Sequence, residues 1–163
     1  MFREMRRRKQ ALSPESCVEV LRKGTSGVLA VSGDDGYPYA VPLSYVYDDG
    51  RLFFHCAPSG HKLDAIAGNE KASFCVIDQD HVVPEEYTTY YRSVIAFGRA
   101  RVLEDEGEKR AALEKLAERY SPRQEEGRRA EIDKLFQRVC MVELAVEHLS
   151  GKEAIELVRQ RES

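Results

Sequence analysis

A chain of 163 residues is long enough for one folded unit with a real core, and 42% hydrophobic with 33% charged residues makes it globular rather than disordered. The net charge of −3 argues against a dedicated nucleic-acid binder, and no apolar run approaches the ~20 residues of a membrane-spanning helix. Four cysteines without a C-x-x-C pair fit free thiols in a reducing cytoplasm, and no apolar stretch of the secretory kind follows the N-terminal charges.

The start, MFREMRRRKQ, is strongly basic and reads as a flexible tail over residues 1–11. LSPESCVEVLRKG then predicts a short helix, with Ser13 as N-cap, Pro14 at the first helical position and Gly24 as the stop. GVLAVSG and PYAVPLSYVYD are strands joined across DDGY, and the next turn repeats the device at Asp49-Gly50 before RLFFHC. Residues 27–57 therefore predict a three-stranded antiparallel meander. Pro42 cannot donate a ladder hydrogen bond, so it marks a bulge or an edge.

HKLDAIAGN predicts a short helix with Leu63, Ile66 and Ala67 inward, and KASFCVID a further strand. QDHVVPEEYTTY is polar and broken by Pro84, which predicts a loop or a helical turn. YRSVIAFGRARVLED is long for one strand, and Gly98 suits a sharp bend within it. DEGEKRAALEKLAERYSP is an amphipathic helix with Ala112, Leu113, Leu116, Ala117 and Tyr120 on its inner stripe. EIDKLFQRV is another short helix, and CMVELAVEHLS alternates as a last strand before a C-terminal tail at 153–163. The expected architecture is mainly β, a small closed or half-closed antiparallel barrel with short helices, as a single unit over 1–163.

Chemistry concentrates in FFHCAPSGHKLDAI, where two imidazoles, a thiol, a hydroxyl and an ammonium fall within eight residues, His55 to Lys62. Adjacent strand residues point to opposite faces, so His55 and Cys56 do not readily share a metal ion, and no closed zinc spacing is present. No elbow motif marks Cys56 as a nucleophile, and a strand cysteine is more often a small buried hydrophobe. Two readings remain open. PSGHKLD is either a plain helix start with a solvated lysine, or an anion cradle. In the second, Gly60 lets the backbone approach, unpaired helix N–H groups face the anion, and Ser59, His61 and Lys62 add donors. Upstream, Tyr37, Tyr39, Tyr45 and Tyr47 alternate along one face with Ala40 and Pro42 opposite, a wall that a flat heteroaromatic ring could use.

The runs GVLAVSGDDGYPYAVPLSYVYDDGRLFFHCAPSGHKLDAI, TTYYRSVIAFGRARVLEDEGEKRAALEKL and VELAVEHLSGKEA resemble the FMN-binding split-barrel proteins related to pyridoxamine 5′-phosphate oxidase, most of all their nitroimidazole-resistance branch. The resemblance covers about residues 12–152, and GHKLD after LFFHCA and YRSVIAFG are its more specific blocks. It implies a six-stranded antiparallel split barrel that forms a homodimer with two FMN sites at the interface. It implies that Tyr39, Ala40, Val41 and Pro42 line the isoalloxazine. His55, Cys56 and Ala57 would flank the ribityl chain and ring edge, and Ser59, Gly60, His61 and Lys62 would hold the phosphate. Arg92 and Ser93 are further candidates, reaching the flavin across the interface.

The resemblance also implies a cytoplasmic FMN-dependent oxidoreductase for a small molecule, a nitroaromatic among the candidates, fed by a nicotinamide cofactor or another donor, with no nucleic-acid, membrane or metal partner. The other reading is a non-catalytic flavin or haem carrier on the same barrel. Vitamin B6 oxidation is not expected. VLAVSGDDGYPYAVPL has no Arg or Lys, and His148 has no arginine partner nearby in the sequence.

Overall fold

Residues 1–163 are described by a computed structural model. Helix α1 (Pro14–Lys23) begins where Ser13 Oγ accepts the Ser16 N–H at 3.1 Å, a cap that contributes about 1 kcal/mol. Seven strands follow: β1 (Ser26–Ser32), β2 (Pro38–Ser44), β3 (Val46–Asp48), β4 (Arg51–Cys56), β5 (Lys71–Val83), β6 (Thr88–Val102) and β7 (Cys140–Glu153). Helix α2 (His61–Gly68) sits between β4 and β5. Helices α3 (Glu106–Tyr120) and α4 (Glu125–Leu135) sit between β6 and β7, and α5 (Ile155–Glu162) ends the chain.

All seven strands belong to one sheet in the order β2-β1-β5-β6-β7-β4-β3, each neighbouring pair antiparallel. The predicted class is therefore observed, with seven strands rather than six. The sheet curls so that β2 approaches β4 without pairing, which leaves a barrel split along one seam. Curling at β6 is local. The β6–β7 register shifts between Phe97 and Gly98, and a Cβ at Gly98 would collide with the Ala145 carbonyl.

The predicted three-stranded meander is corrected. The β1–β2 and β3–β4 hairpins form, with Asp35, Gly36, Asp49 and Gly50 at positive φ in their turns. Yet β2 and β3 do not pair with each other. Tyr45 breaks the run, fully buried, with its hydroxyl donating to the Leu21 carbonyl at 2.7 Å. The two hairpins thus land at opposite edges of the sheet. Pro42 causes no bulge, since β1–β2 pairing is continuous from Ser26↔Ser44 to Ser32↔Pro38, and β2 is an edge strand.

Residues 79–90, expected as a loop or a helical turn, instead mostly continue the β5–β6 hairpin, and the helical turn is a single turn of 3₁₀ helix at Pro84–Glu86 that closes it. The ends also differ from plain tails. Gln10 is buried, and its amide donates to the Glu153 carbonyl at 2.9 Å. At the other end Leu157 and Val158 of α5 are buried.

Two apolar clusters hold the molecule together. One lies inside the curl and joins α1 to Leu29, Phe54, Phe74, Val94 and Leu144. The other lies on the outer face of β4 and β7, where Phe53 and Met141 pack under Leu113, Leu116, Ile132 and Phe136. Period-two alternation along β4 decides which cluster each residue joins: Leu52, Phe54 and Cys56 point in, and Phe53 and His55 point out.

Candidate functional site

The corner between β4 and α2 is built locally. β4 ends at Cys56, Ala57 to Gly60 are exposed, and α2 starts at His61. Gly60 takes φ +147° and ψ 175°, a conformation that side-chain-bearing residues rarely adopt, and nothing lies within 4 Å of where its Cβ would be. No side chain caps α2, and its first internal bond runs from the Asp64 N–H to the Gly60 carbonyl at 3.1 Å. The N–H groups of His61, Lys62 and Leu63 precede that bond and are left for an external acceptor. They carry the positive end of the helix dipole, roughly half an elementary charge.

The predicted residues divide into three sets. His55, Cys56, Ala57, Ser59, Gly60, His61 and Lys62 share this corner. Tyr39, Ala40, Val41 and Pro42 are brought beside it by one contact, the His61 ring stacking on Tyr39 with centroids 4.0 Å apart. As an edge strand, β2 keeps one side of its backbone unpaired there. Arg92 and Ser93 do not join the corner within one chain. They pair with Glu153 and Lys152 at the far end of β7, whereas Cys56 pairs with Cys140 at its start.

Within the corner the side chains have distinct environments. His61 is turned toward the β1–β2 turn, with Nε2 3.7 Å from Asp34 Oδ2. Lys62 is half-buried near Cys56, whose thiol is pushed up to about 11 by burial, next by Cys140, against a downward pull from Lys62. A thiol so placed keeps its proton at neutral pH and is a poor nucleophile. His55 is exposed on the opposite face of the strand from buried Cys56. The tyrosine wall is reduced. Tyr37 is exposed and Tyr45 is buried in the core, so Tyr39 is the ring of that series beside the corner.

Arg92 is held elsewhere. Its Nε donates to Glu153 at 3.0 Å and a terminal nitrogen donates to Asp78 at 3.0 Å. Burial pulls the guanidinium pKa down, but these carboxylates outweigh it and the net shift is upward.

Two features were missed from the sequence. Asp34 faces His61 from a turn whose sequence signalled only a hairpin. Beyond His55, a cavity of about 470 Å³ opens between the outer face of β4 and helices α3 and α4. The amphipathic stripe of α3 was the available signal, but a stripe does not tell where a helix stops covering the sheet.

A family model described as pyridoxamine 5′-phosphate oxidase matches residues 13–153. A candidate 5-nitroimidazole antibiotic resistance protein from Bacteroides thetaiotaomicron is 20% identical with a TM-score of 0.76, covering 88% of this chain and 86% of that one. A FAD-binding protein from Mesorhizobium loti is 27% identical with a TM-score of 0.66, covering 89% and 97%. A FAD- and haem-binding protein from Mycobacterium smegmatis is 26% identical with a TM-score of 0.74, covering 90% and 73%. No match is found among curated proteins. No helix is long and apolar enough to cross a membrane.

Proposed function

The chain belongs to the pyridoxamine 5′-phosphate oxidase family, and from that premise we propose that it binds FMN and acts as an oxidoreductase on a small molecule, with electrons from a nicotinamide cofactor or another donor. The observation that carries the reading is the uncapped start of α2 behind Gly60, where three N–H groups have no internal acceptor, nothing lies within 4 Å of the place a Gly60 side chain would take, and half-buried Lys62 stands on the first turn. A phosphate supplies the missing acceptor. The free backbone edge of β2 at Tyr39–Pro42 stands beside it for the polar edge of a flavin ring. Bound flavin would supply the electron chemistry. This chain's residues hold and orient it: Lys62 and the α2 N–H groups at the phosphate, the β2 edge at the ring, and Cys56 as packing beneath. His55, exposed at the end of β4, is placed to hold a proton or donate a hydrogen bond. The FAD-binding relatives favour a flavin of some kind; the corner itself selects only for a phosphate.

We extend the proposal to a homodimer. Pro42↔Val28↔Cys75↔Ile95 form one row across β2, β1, β5 and β6, and Val28, Ile95 and neighbouring Ile77 are exposed. A row of apolar side chains on an open sheet face suits a two-fold partner. Sedimentation at micromolar concentration should give a dimer, and a monomer that still holds flavin would remove the interface site.

Oxidation of vitamin B6 stays outside the proposal, since the His148 ring is stacked on Phe2 at 4.6 Å. The haem-binding relative keeps a second reading, a carrier without turnover. A visible spectrum of the purified protein separates flavin bands from a Soret band, and mass analysis of the released cofactor separates FMN from FAD. Anaerobic reduction with NADH or NADPH, then reoxidation by a panel of acceptors, tests turnover. A flavin that neither nicotinamide reduces, and that no acceptor in the panel reoxidises after chemical reduction with dithionite, leaves the carrier.

A further inference from the structure

Cys56 and Cys140 stand directly opposite each other in the β4–β7 ladder. Opposite residues of an antiparallel pair send their side chains to the same face, and both thiols turn toward the inner apolar cluster. Both are free. Cys140 is also the neighbour that, after burial, most raises the Cys56 thiol, so the two sulfurs are close. The other two cysteines have no such partner: Cys17 faces Gly151 from α1, and Cys75 lies opposite Val28 and Ile95.

Opposite Cβ atoms lie about 4.5–5.5 Å apart, and a disulfide needs about 3.5–4.5 Å. The pair sits where the backbone can give that much. Cys56 is the last residue of β4 and Cys140 the first of β7. The β6 ladder on β7 stops at Val142, and the β3 ladder on β4 stops at Phe53, so at the two cysteines each strand is held by the other alone. Drawing them together moves Ala57, and with it the Pro-Ser-Gly turn that opens α2.

We propose that Cys56 and Cys140 form a reversible disulfide, a redox switch that reshapes the anion corner at the start of α2, with a low-molecular-weight disulfide as oxidant. Half-buried Cys140 reacts first. Its thiolate bonds to one sulfur of oxidised glutathione and expels the other as a glutathione thiolate. The Cys56 thiolate then bonds to the Cys140 sulfur of this mixed disulfide and expels the second glutathione. The two protons of the protein thiols end on the two glutathiones, so two protein thiols are oxidised as one disulfide is reduced. Buried Cys56 holds its proton, which makes the second step the slower one.

The test equilibrates the full chain in glutathione buffers from fully reduced to fully oxidised, blocks the remaining thiols with N-ethylmaleimide in denaturant and maps the peptides by mass. The oxidised buffer should join the Cys56 and Cys140 peptides while Cys17 and Cys75 stay blockable, and dithiothreitol should reverse the link. The amide resonances of His61, Lys62 and Leu63 should shift between the two states, and FMN should bind the oxidised state at least about tenfold more weakly. Cys56 and Cys140 both blocked in the most oxidising buffer, glutathione held on Cys140 without closure, unmoved amides, or equal FMN affinity in the two states each overturn the switch. The FMN measurement rests on the flavin reading above. A chain that closes and moves those amides but takes no FMN in either state keeps this inference and loses that reading; FMN held by a chain that never closes does the reverse.

Discussion

Charge gathers at both ends of β7, and the two gatherings are built in opposite ways. At the Glu153 end three cations, Arg92, Arg161 and Lys23, meet two carboxylates, Glu153 and Asp78. Arg92 bridges Asp78 and Glu153, Arg161 reaches Glu153 at 2.5 Å, and Lys23 reaches Asp78 at 3.1 Å. At the Cys140 end, beside Cys56, the backbone N–H donors of the α2 start have no internal acceptor. Burial follows the same division. Glu153 is fully buried, whereas Ala57 to His61 are exposed. A buried network of ion pairs serves the fold; a set of preorganised donors facing open space is ready for a ligand.

The largest effect that sharpens this contrast is Arg92→Ala. It leaves the buried Glu153 carboxylate with Arg161 alone and frees Asp78 from one partner. Breaking a buried pair from one side costs about 3–5 kcal/mol, and the surviving Arg161 contact places this case toward the lower end. Thermal melting should fall accordingly, and the folded fraction should still take FMN. Unchanged melting with lost FMN would instead make Arg92 a flavin residue supplied across a dimer, and the contrast between the two ends would collapse.

The corner was legible because it is local. Strand, Pro-Ser-Gly turn and helix lie within a few residues, and Gly60 at φ +147° is what that spelling implies. Strand identity along β1, β2 and β4 was legible for the same reason. Long-range placement was not. Nothing in DDGY or DDGR states that the second hairpin pairs with β7 instead of β2; buried Tyr45 decides it by anchoring to α1. Residues 79–90 looked like a loop because their polar side chains belong to a ladder with few buried positions, in which Asp80, His81 and Val82 are all exposed. On the inward face of α2, Ile66 is buried and Leu63 packs against the core as the stripe predicts, but Ala65 takes the third inward place and Ala67 is exposed. The cavity under α3 and α4 depends on where two helices land, which composition does not encode.

Next in size is Lys62→Ala. A hydrogen bond to a charged group contributes roughly 1.5–3 kcal/mol, so FMN affinity should fall about ten- to hundred-fold. Riboflavin, which lacks the phosphate, should bind wild type and variant alike. Melting should barely move, in contrast to Arg92→Ala. His61→Ala should cost less FMN affinity, because its ring is already engaged with Tyr39 and its Nε2 faces Asp34. Equal losses of FMN and riboflavin in Lys62→Ala would mean that the lysine supports the ring or the fold, and no loss of either would leave an ordinary helix start.

The smallest effect links the corner to the strand beneath it. Burial first and Cys140 next raise the Cys56 thiol from an ordinary value of 9.0 to about 11, against a downward pull from Lys62. In the folded chain Cys56 therefore holds its proton at pH values where the unfolded chain has lost it. The sign follows directly. Below pH 9 both states are protonated and the contribution is fully present; as pH rises toward 11 the unfolded state binds fewer protons than the folded one, and stability falls. Cys17, Cys75 and Tyr45 are also raised by burial, so wild type should lose stability across this window for several reasons at once. Cys56→Ala removes one of them, and its melting temperature should decline less steeply between pH 9 and 11 than that of wild type. Lys62→Ala acts the other way, since without the ammonium the thiol is raised further and the decline extends to higher pH. Melting followed by circular dichroism across the three proteins reads both slopes. A Cys56→Ala curve parallel to wild type, or alkylation of Cys56 at neutral pH as fast as a solvent-exposed cysteine, would show that the thiol beneath the corner is open to water and that the corner has no dry floor.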